Sequence, residues 1–316
     1  MAKLPKFTNV KDVTNLQTWI DEALYLKRNP LVFRKLGSGK CLGLVFFNPS
    51  LRTRMSTQRA AQLLGMETMV MNVGSDGWNL EFVDGAVMNG NTQEHIKDAI
   101  QVMSQYCDVL AVRAFAELKD RQADYQDKIL NAFVEYATVP VVSLESAIGH
   151  PLQAFADLIT IKEHQTKERP KVVLTWAPHP RALPQAVANS FVEWMQESEV
   201  DLVVTHPEGY ELAPEVIKGT KVEYDQHKAF EGADFIYAKN WSSYTEYGQV
   251  LSQDESWQVT AEKMALTDNG KFMHCLPIRR NVIASDEVID NSLVIKEAEN
   301  RLFSAGIVLK KILENI

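Results

Sequence analysis

The sequence has few of the features that mark a disulfide-bonded, metal-binding or membrane protein. Its three cysteines, Cys41, Cys107 and Cys275, include no CxxC pair, so neither a disulfide framework nor a zinc site is indicated. No apolar run is long enough to span a membrane, and Met1-Ala2-Lys3 leads into no signal-peptide core. We therefore expect a cytoplasmic protein with no membrane partner.

The sequence also has fewer basic than acidic residues, and it has no glycine fingerprint for nucleotide binding. The formal net charge of −8 disfavours a surface for nucleic acid or anionic lipid. No GxGxxG follows a predicted strand, and no Ser or Thr follows the lysine of Gly37-Ser38-Gly39-Lys40, which we interpret as a turn. The 316 residues, 46% of them hydrophobic, are enough for two domains with their own cores.

What the sequence does contain is an alternation of strands and helices. The first half predicts four strands (Cys41–Phe47, Glu67–Val73, Asp108–Val112, Val139–Leu144) separated by helices (Arg52–Leu64, a helix opened by a capping box at Asn91-Thr-Gln-Glu94, and one near Gln122–Tyr136). The helix Leu152–Lys162 leads to a second half with strands at Lys171–Ala177, Val200–Thr205, Lys221–Tyr224, Asp234–Ala238 and Lys271–Cys275. This pattern predicts an α/β fold with parallel, doubly wound sheets.

The stretch from Asn48 to Arg54 is the strongest candidate for a functional site. Pro49 ends the first strand, Ser50 is placed to cap the following helix, and Gly65 to end it. Arg52 and Arg54 fall in the first turn, where the helix dipole disfavours cations unless an anion is bound there. We therefore predict a phosphate or carboxylate site at this helix start.

Polar clusters also follow other predicted strands, at the ends where open α/β sheets bind ligands. They are Arg113, His150-Pro-Leu-Gln153, His179, Lys239 and His274-Cys-Leu-Pro-Ile-Arg279-Arg280. Taken singly, each has a structural explanation, such as a small buried Cys275 or a solvated arginine pair. Their succession along the chain favours a shared site.

Together, Ser50-Leu-Arg-Thr-Arg54, Arg113, His150-Pro-Leu-Gln153 and His274-Cys-Leu-Pro277 resemble the motifs of the carbamoyltransferase family, which includes the aspartate and ornithine enzymes. Trp176-Ala-Pro-His-Pro180, Ala238-Lys-Asn-Trp241 and Glu297-Ala-Glu-Asn-Arg301 are similar to the branch that acts on Nα-acylated ornithine, above all N-succinylornithine. The resemblance spans nearly the whole chain. It implies two doubly wound domains, 1–150 for carbamoyl phosphate and 151–296 for the amino acid, with a C-terminal helix (297–316) returning to the first domain.

The resemblance also implies roles for individual residues. Those expected to hold carbamoyl phosphate are Ser50, Leu51, Arg52, Thr53, Trp78 from an adjacent subunit of a homotrimer, Arg113, His150, Gln153, Cys275, Leu276 and Arg301. Arg52, Thr53, Arg113, His150 and Cys275 are the expected catalytic residues, Cys275 through its backbone carbonyl next to a cis Pro277. Gln93, Glu145, His179, Lys239 and Arg279 are expected to bind the acylated ornithine. The chemistry requires no cofactor and no metal.

The acyl group is less strongly specified. Free ornithine is disfavoured because Lys239 brings a cation to the region where an α-ammonium would bind. At Gln93 the succinyl branch typically has proline and the acetyl branch glutamate, and Ile283 replaces a lysine that the acetyl branch can carry. General similarity favours succinyl, with N-acetylornithine as the alternative acceptor. A non-catalytic ligand-binding paralogue and a dinucleotide-dependent dehydrogenase are the alternatives from other classes.

Overall fold

A computed structural model of the chain describes residues 4–316. Met1, Ala2 and Lys3, with which the predicted first domain begins, lie outside that range. The strands of the first half are β1 (Lys6–Phe7), β2 (Cys41–Phe46), β3 (Glu67–Asn72), β4 (Leu80–Glu81), β5 (Glu94–His95), β6 (Val109–Arg113) and β7 (Val141–Glu145). Five of them form a parallel sheet in the order β1-β7-β6-β2-β3, and β4 pairs with β5. The helices of this half are α1 (Leu16–Arg28), α2 (Arg52–Leu64), α3 (Ile96–Tyr106), α4 (Arg121–Tyr125) and α5 (Lys128–Tyr136).

The second half repeats this architecture after α6 (Pro151–His164). Its strands are β8 (Lys171–Trp176), β9 (Asp201–Thr205), β10 (Lys221–Glu223), β11 (Phe235–Lys239) and β12 (Lys271–Met273). They form a parallel sheet in the order β10-β9-β8-β11-β12. The helices are α7 (Ala186–Gln196), α8 (Pro214–Ile217), α9 (Gln226–Phe230), α10 (Ala261–Met264), α11 (Asp286–Asp290) and α12 (Val294–Leu313). Short 3-10 helices occur at Val10–Asp12 and Glu255–Trp257.

The predicted α/β class with two doubly wound parallel sheets is confirmed, and α12 packs against α1, α2 and α6 as expected for a helix that returns to the first half. Helix α6 joins the halves because it is apolar nearly all round. Its Phe155 ring lies 6.2 Å from that of Trp19 on α1 and 5.2 Å from that of Trp194 on α7. Burial of such aromatic surface is the largest local contribution to stability.

Three local predictions were wrong, and one strand was not predicted. Ser50 does not cap α2: the helix spans Arg52–Leu64 as predicted, but its N-cap residue is Leu51, in α-helical conformation and without a side-chain hydrogen bond. Asn91–Glu94 is no capping box, because Glu94 and His95 pair with β4 and His95 caps α3. The helix near Gln122–Tyr136 is two helices, separated at Asp127, whose φ is 45°. The edge strand β1 was not predicted because its two residues are too few to show the alternation of apolar and polar side chains that marks a strand.

Each sheet has a point where the strand order reverses. In the first sheet it lies between β2 and β6, and in the second between β8 and β11. Open α/β sheets bind ligands at the carboxyl ends of strands beside such a point. Ser50 follows β2, Arg113 ends β6, His179 follows β8 and Lys239 ends β11. The two reversal points therefore bring the predicted site residues to facing edges.

Candidate active site

A cleft of about 370 Å³ lies where these two edges meet. Most of the predicted site residues line it, and only Trp78, Gln93 and Arg279 do not. Those that do are Ser50, Leu51, Arg52, Thr53, Arg113, Glu145, His150, Gln153, His179, Lys239, Cys275, Leu276 and Arg301. The cleft therefore unites sequence motifs from both halves of the chain.

The start of α2 forms one end of the cleft. No side chain caps this helix, so the N–H groups of its first turn stay available to an anion. Arg52 lines the cleft and makes no side-chain hydrogen bond or ion pair to another residue in the 4–316 range. Arg54 points elsewhere, bonding to the Asn72 carboxamide and stacking 4.9 Å above the Phe46 ring. The prediction that both arginines face one anion is therefore wrong for Arg54.

Arg113, at the end of β6, is held rigidly beside that helix start. Its Nη1 donates to the Asn48 carbonyl at 3.0 Å and the Pro49 carbonyl at 2.5 Å. Its Nε and Nη2 lie 3.3 and 3.2 Å from Glu145 Oε2. Burial lowers the pKa of the guanidinium, and the Glu145 carboxylate opposes that effect. The cation is thus fixed in direction before any ligand binds.

His150 opens α6 between a cation and a carboxyl group. Its Nε2 lies 3.4 Å from Glu145 Oε2 and 3.3 Å from Arg301 Nη1. Burial and then the Arg301 and Arg113 charges hold the pKa of this imidazole well below its usual range. Burial likewise raises the pKa of Glu145, against the pull of Arg113 and Lys239. His150 is therefore a neutral ring in the cleft wall.

Arg301 reaches the cleft from α12. Its Nη1 donates to Gln153 Oε1 at 2.6 Å, and its Nη2 donates to Thr53 Oγ1 at 3.1 Å. The residue is 3% exposed. One guanidinium thus fixes side chains on α2 and α6, since its planar fork can donate in several directions at once.

The wall opposite is the loop after β12, which holds His274, Cys275, Leu276 and Pro277. The Leu276–Pro277 peptide is cis, as the resemblance implied. The His274 N–H donates to Glu297 Oε2 at 2.9 Å, and His274 Nδ1 accepts from the Leu276 N–H at 2.8 Å. Burial raises the pKa of the Cys275 thiol, so the side chain is uncharged and a poor nucleophile.

The far end of the cleft belongs to the second sheet. Lys239 ends β11 there, and Ile283 contributes an apolar side chain. Arg279 stands behind this end rather than in its lining, and its Nε donates to His179 Nε2 at 3.0 Å. Burial lowers the pKa of His179. The other ring nitrogen, Nδ1, lies 2.8 Å from the Arg181 carbonyl oxygen and 3.1 Å from the Arg181 backbone nitrogen.

Trp78 and Gln93 lie outside the cleft, on the segment around β4 and β5. Trp78 is 52% exposed and its Nε1 donates to Glu94 Oε2 at 2.8 Å. Gln93 is also exposed. Exposed apolar side chains surround them on this segment: Phe82, Val83, Val87 and Met88.

Some cleft residues escaped the sequence reasoning. Phe115 lies two residues beyond Arg113, and its ring sits 4.0 Å from the Arg113 guanidinium carbon. An aromatic side chain just after an arginine at a strand end was the available signal. Leu183, Pro184 and Val187 add an apolar wall that no motif indicated.

The lining combines four cations with one carboxyl group in a protein whose net charge is −8: Arg52, Arg113, Lys239 and Arg301 against Glu145. Such a concentration of positive charge attracts small anions to a low-dielectric pocket. Within residues 4–316 no group of three or more His, Cys, Asp or Glu side chains is placed to hold a metal ion. None of the helices in that part of the chain has the length and apolar character to cross a membrane.

Comparisons with known proteins cover both halves of the chain. The profile of the aspartate/ornithine carbamoyltransferase carbamoyl-P binding domain matches residues 6–163, and that of the Asp/Orn binding domain matches residues 184–311. An N-succinylornithine carbamoyltransferase of Bacteroides thetaiotaomicron is 54% identical over 99% of this chain and 100% of its own length. An N-acetylornithine carbamoyltransferase of Xanthomonas axonopodis is 39% identical over 95% of this chain and 94% of its own.

A solved structure extends the likeness to three dimensions. It is a mutant N-acetyl-L-ornithine transcarbamylase in complex with carbamyl phosphate and N-succinyl-L-norvaline. It matches with a TM-score of 0.91 and 37% identity, over 97% of this chain and 99% of that chain. Two domain profiles and a full-length relative above half identity show that the chain belongs to the aspartate/ornithine carbamoyltransferase family.

Proposed function

We propose that this enzyme transfers the carbamoyl group of carbamoyl phosphate to the δ-amino group of N-succinyl-L-ornithine, giving N-succinyl-L-citrulline and phosphate in arginine biosynthesis. The observation that carries the proposal is the polarity of the cleft. One end has an uncapped helix start and fixed arginines, suited to a phosphoryl dianion. The other has Lys239 and the His179–Arg279 pair, suited to carboxylates.

In this reaction the phosphate binds at the α2 start. Ser50, Leu51, Arg52 and Thr53 present backbone N–H, hydroxyl and guanidinium donors, and Arg113 adds a second cation. The δ-amine attacks the carbamoyl carbon, the bond from that carbon to the bridging oxygen breaks, and phosphate leaves with the bonding electrons. The leaving phosphate takes the amine proton.

The carbamoyl group lies deeper, between the two halves. Thr53, Arg113 and neutral His150 direct donors at the oxyanion that forms on attack, each worth on the order of 3 kcal/mol of transition-state stabilisation. The carbonyls of Cys275 and Leu276 accept the carbamoyl NH2, while Gln153 and Arg301 complete the pocket. Holding both substrates in one cleft supplies further acceleration through orientation.

The acceptor binds at the second-sheet end. His179, Lys239 and Arg279 neutralise its carboxylates, and Glu145 stands near the incoming amine. A free α-ammonium would meet Lys239 there, and Glu145, the one carboxyl group of the lining, is already paired with Arg113, so an acylated amino group fits better. Ile283 keeps this wall apolar.

Succinyl is favoured over acetyl by the relatives and by charge. The succinyl enzyme of Bacteroides thetaiotaomicron is 54% identical, against 39% for the acetyl enzyme of Xanthomonas axonopodis. A glutamate at position 93 would repel the succinyl carboxylate, whereas Gln93 is neutral and can donate to it. N-Acetyl-L-ornithine is the second candidate acceptor.

A citrulline-type colorimetric assay with N-succinyl-, N-acetyl- and free L-ornithine, at equal carbamoyl phosphate, tests this directly. We expect kcat/KM to rank succinyl first, acetyl second and free ornithine last. A higher kcat/KM for the acetyl compound would assign the chain to the second candidate. No product with any of the three would refute the proposal.

We also propose a homotrimer whose active sites are shared. The support is that Trp78 and Gln93 are exposed, lie outside the cleft of their own chain, and sit among exposed apolar side chains. Mixing Arg52→Ala and Trp78→Ala subunits tests it. In a ring where each site takes Arg52 from one subunit and Trp78 from the next, random mixing restores about one site in four. No recovery of activity would contradict shared sites.

The boundaries of the substrate domains are part of the same proposal. Residues 1–150 with 297–316 bind carbamoyl phosphate, and residues 151–296 bind the acylated amino acid. We place the enzyme in the cytoplasm, as expected from the sequence. Fractionation of cells with an antibody against the chain would test that placement, and recovery with membranes would contradict it.

A further inference from the structure

Two acids lie behind the cleft, each one helical turn from a residue of the carbamoyl pocket. Asp157 follows Gln153 by four residues on α6, and Glu297 precedes Arg301 by four residues on α12. Both carboxyl groups are completely buried, and neither lines the cleft. Buried acids are uncommon unless they are paired, so their partners decide what they do.

The two carboxyl groups converge on the Gln153 amide. Gln153 Nε2 donates to Asp157 Oδ1 at 2.7 Å and to Glu297 Oε1 at 3.0 Å. Both amide hydrogens are thereby engaged, so Oε1 must point the other way, where it accepts from Arg301 at 2.6 Å. The acids thus fix which face of the amide is turned to the pocket.

Glu297 also holds the opposite wall. Its second oxygen, Oε2, accepts the His274 N–H at 2.9 Å, at the start of the loop that carries Cys275 and Leu276. One carboxyl group therefore ties a first-half helix side chain and a second-half loop into a single arrangement. The two walls of the carbamoyl pocket share this anchor.

No cation in the described chain forms an ion pair with either acid. The ionisable groups around them are Arg301 on α12, Tyr237 on β11, and Cys275 in the loop. Arg301 directs its Nη hydrogens to Gln153, His150 and Thr53 instead. The Tyr237 hydroxyl faces Asp157, and neither it nor Asp157 Oδ2 has another partner among residues 4–316.

Two facing carboxylates without a cation cannot both stay ionised in a buried site. Burial raises the pKa of both acids, and the Asp157 charge raises that of Glu297 further. A single proton held between them leaves one negative charge, which is favourable near Arg301. It also leaves enough lone pairs for the Gln153 and His274 donors.

We propose that Asp157 and Glu297 share one proton and act together as positioning residues, fixing the Gln153 amide and the 274–277 loop around the carbamoyl group. This rests on the proposed carbamoyl transfer. Neither acid contacts substrate, and both act through the residues they hold. The arrangement sets the carbamoyl pocket before carbamoyl phosphate arrives.

Infrared spectroscopy of the whole enzyme, with carboxyl ¹³C-labelled Asp and Glu, detects the shared proton without turnover. At pH 7 we expect Glu297→Gln to lose one protonated-carboxyl band that wild type shows. In that variant the introduced carboxamide supplies the donor that the shared proton supplied, and Asp157 ionises against the Gln153 amide and that carboxamide, beside the Tyr237 hydroxyl and Arg301. The matched control is Asp234→Asn, a buried acid paired with Lys167 at 2.8 Å and distant from the cleft, which keeps the band.

Kinetics separate positioning from simple stability. We expect Glu297→Ala to lower kcat/KM for carbamoyl phosphate about a hundredfold, because both pocket walls lose their anchor. Glu297→Gln retains an acceptor for the His274 N–H and should lose only roughly fivefold. Urea unfolding of each variant establishes that the protein compared is folded.

Equal band intensity in wild type and Glu297→Gln would overturn the shared proton. Equal kcat/KM in Glu297→Ala and wild type, or equal losses in Glu297→Ala and Glu297→Gln, would overturn the positioning role. Absence of carbamoyl transfer by wild type is a separate result that refutes the proposed function. The infrared comparison remains valid in that case because it requires no substrate.

Discussion

Replacing Arg52 by alanine should separate catalysis from folding more cleanly than any other change in the cleft. Arg52 is partly exposed, and its side chain bonds to no other residue in the described part of the chain. Its removal leaves no buried acceptor unpaired, so the free energy of unfolding should change by about 0.5 kcal/mol or less. A folded enzyme with an incomplete phosphate site is expected.

The catalytic loss can be estimated from the remaining donors. Arg113 is held by two backbone carbonyls and Glu145, and Arg301 by Gln153 and Thr53, so neither can move to replace Arg52. Loss of one charge-assisted donor in such a site costs about 3 kcal/mol in the transition state. That corresponds to a fall in kcat of roughly two orders of magnitude.

The assay is carbamoyl transfer to N-succinyl-L-ornithine, with kcat and KM for carbamoyl phosphate measured beside urea unfolding. Arg54→Ala is the matched control, two residues along the same helix but bonded to Asn72 and stacked on Phe46. It should keep near-normal turnover and lose about 1 kcal/mol of stability. Wild-type turnover in Arg52→Ala, or an equal loss in Arg54→Ala, would refute the reasoning.

Three further changes test other parts of the structure. Gln93→Glu should lower the succinyl-to-acetyl ratio of kcat/KM at least about fivefold through charge repulsion, and an unchanged ratio would remove Gln93 as a determinant. Burial holds the pKa of His150 and His274 well below the usual range, so the unfolded chain binds more protons below about pH 6.5. Each ring therefore lowers the free energy of unfolding by up to about 1.4 kcal/mol per pH unit as pH drops from about 7 to 5, while the raised pKa values of Glu145, Asp157 and Glu297 act in the opposite direction. Because asparagine does not titrate, the difference in unfolding free energy between wild type and His274→Asn isolates the ring, and urea unfolding should show that difference falling over this range. Gly65→Ala should lower the free energy of unfolding by about 3 kcal/mol, since φ is 85° and the new Cβ would lie 2.0 Å from the Arg34 carbonyl oxygen. Gly74 has the same φ but open space around it, so Gly74→Ala should lower the free energy of unfolding by only about 1 kcal/mol.

Most of the fold could be predicted because the hydrophobic runs and the proline and glycine residues between them indicate the same boundaries of strands and helices. The run Cys41–Phe46 is short and has no polar side chain, as expected for a buried central strand. Pro49 ends it, and Gly65 closes the next helix in the left-handed conformation that glycine favours. The order of the strands within each sheet could not be predicted from the sequence, since it depends on pairing between strands that lie far apart in the chain. The reversal points that create the cleft appear only in three dimensions.

For the site, the motif residues were predictable and their partners were not. Nothing in the sequence separates Arg113 from Arg54. Arg113 donates to two backbone carbonyls at the end of its strand, whereas Arg54 lies over the Phe46 ring. Asp157 carries no motif signal, because its importance comes from sharing Gln153 with Glu297, which lies 144 residues further along the chain than that glutamine. Long-range contacts of this kind leave no local periodicity.

The return of α12 to the first half has a consequence for biosynthesis. Arg301 and Glu297 both come from this final helix, and they tie together Thr53, Gln153 and the 274–277 loop. Domains form from the amino terminus as a chain leaves the ribosome, so a nascent chain can build both sheets and still have no carbamoyl pocket. Reactivity toward a labile mixed anhydride is therefore withheld until α12 has been synthesised and has packed against α1, α2 and α6.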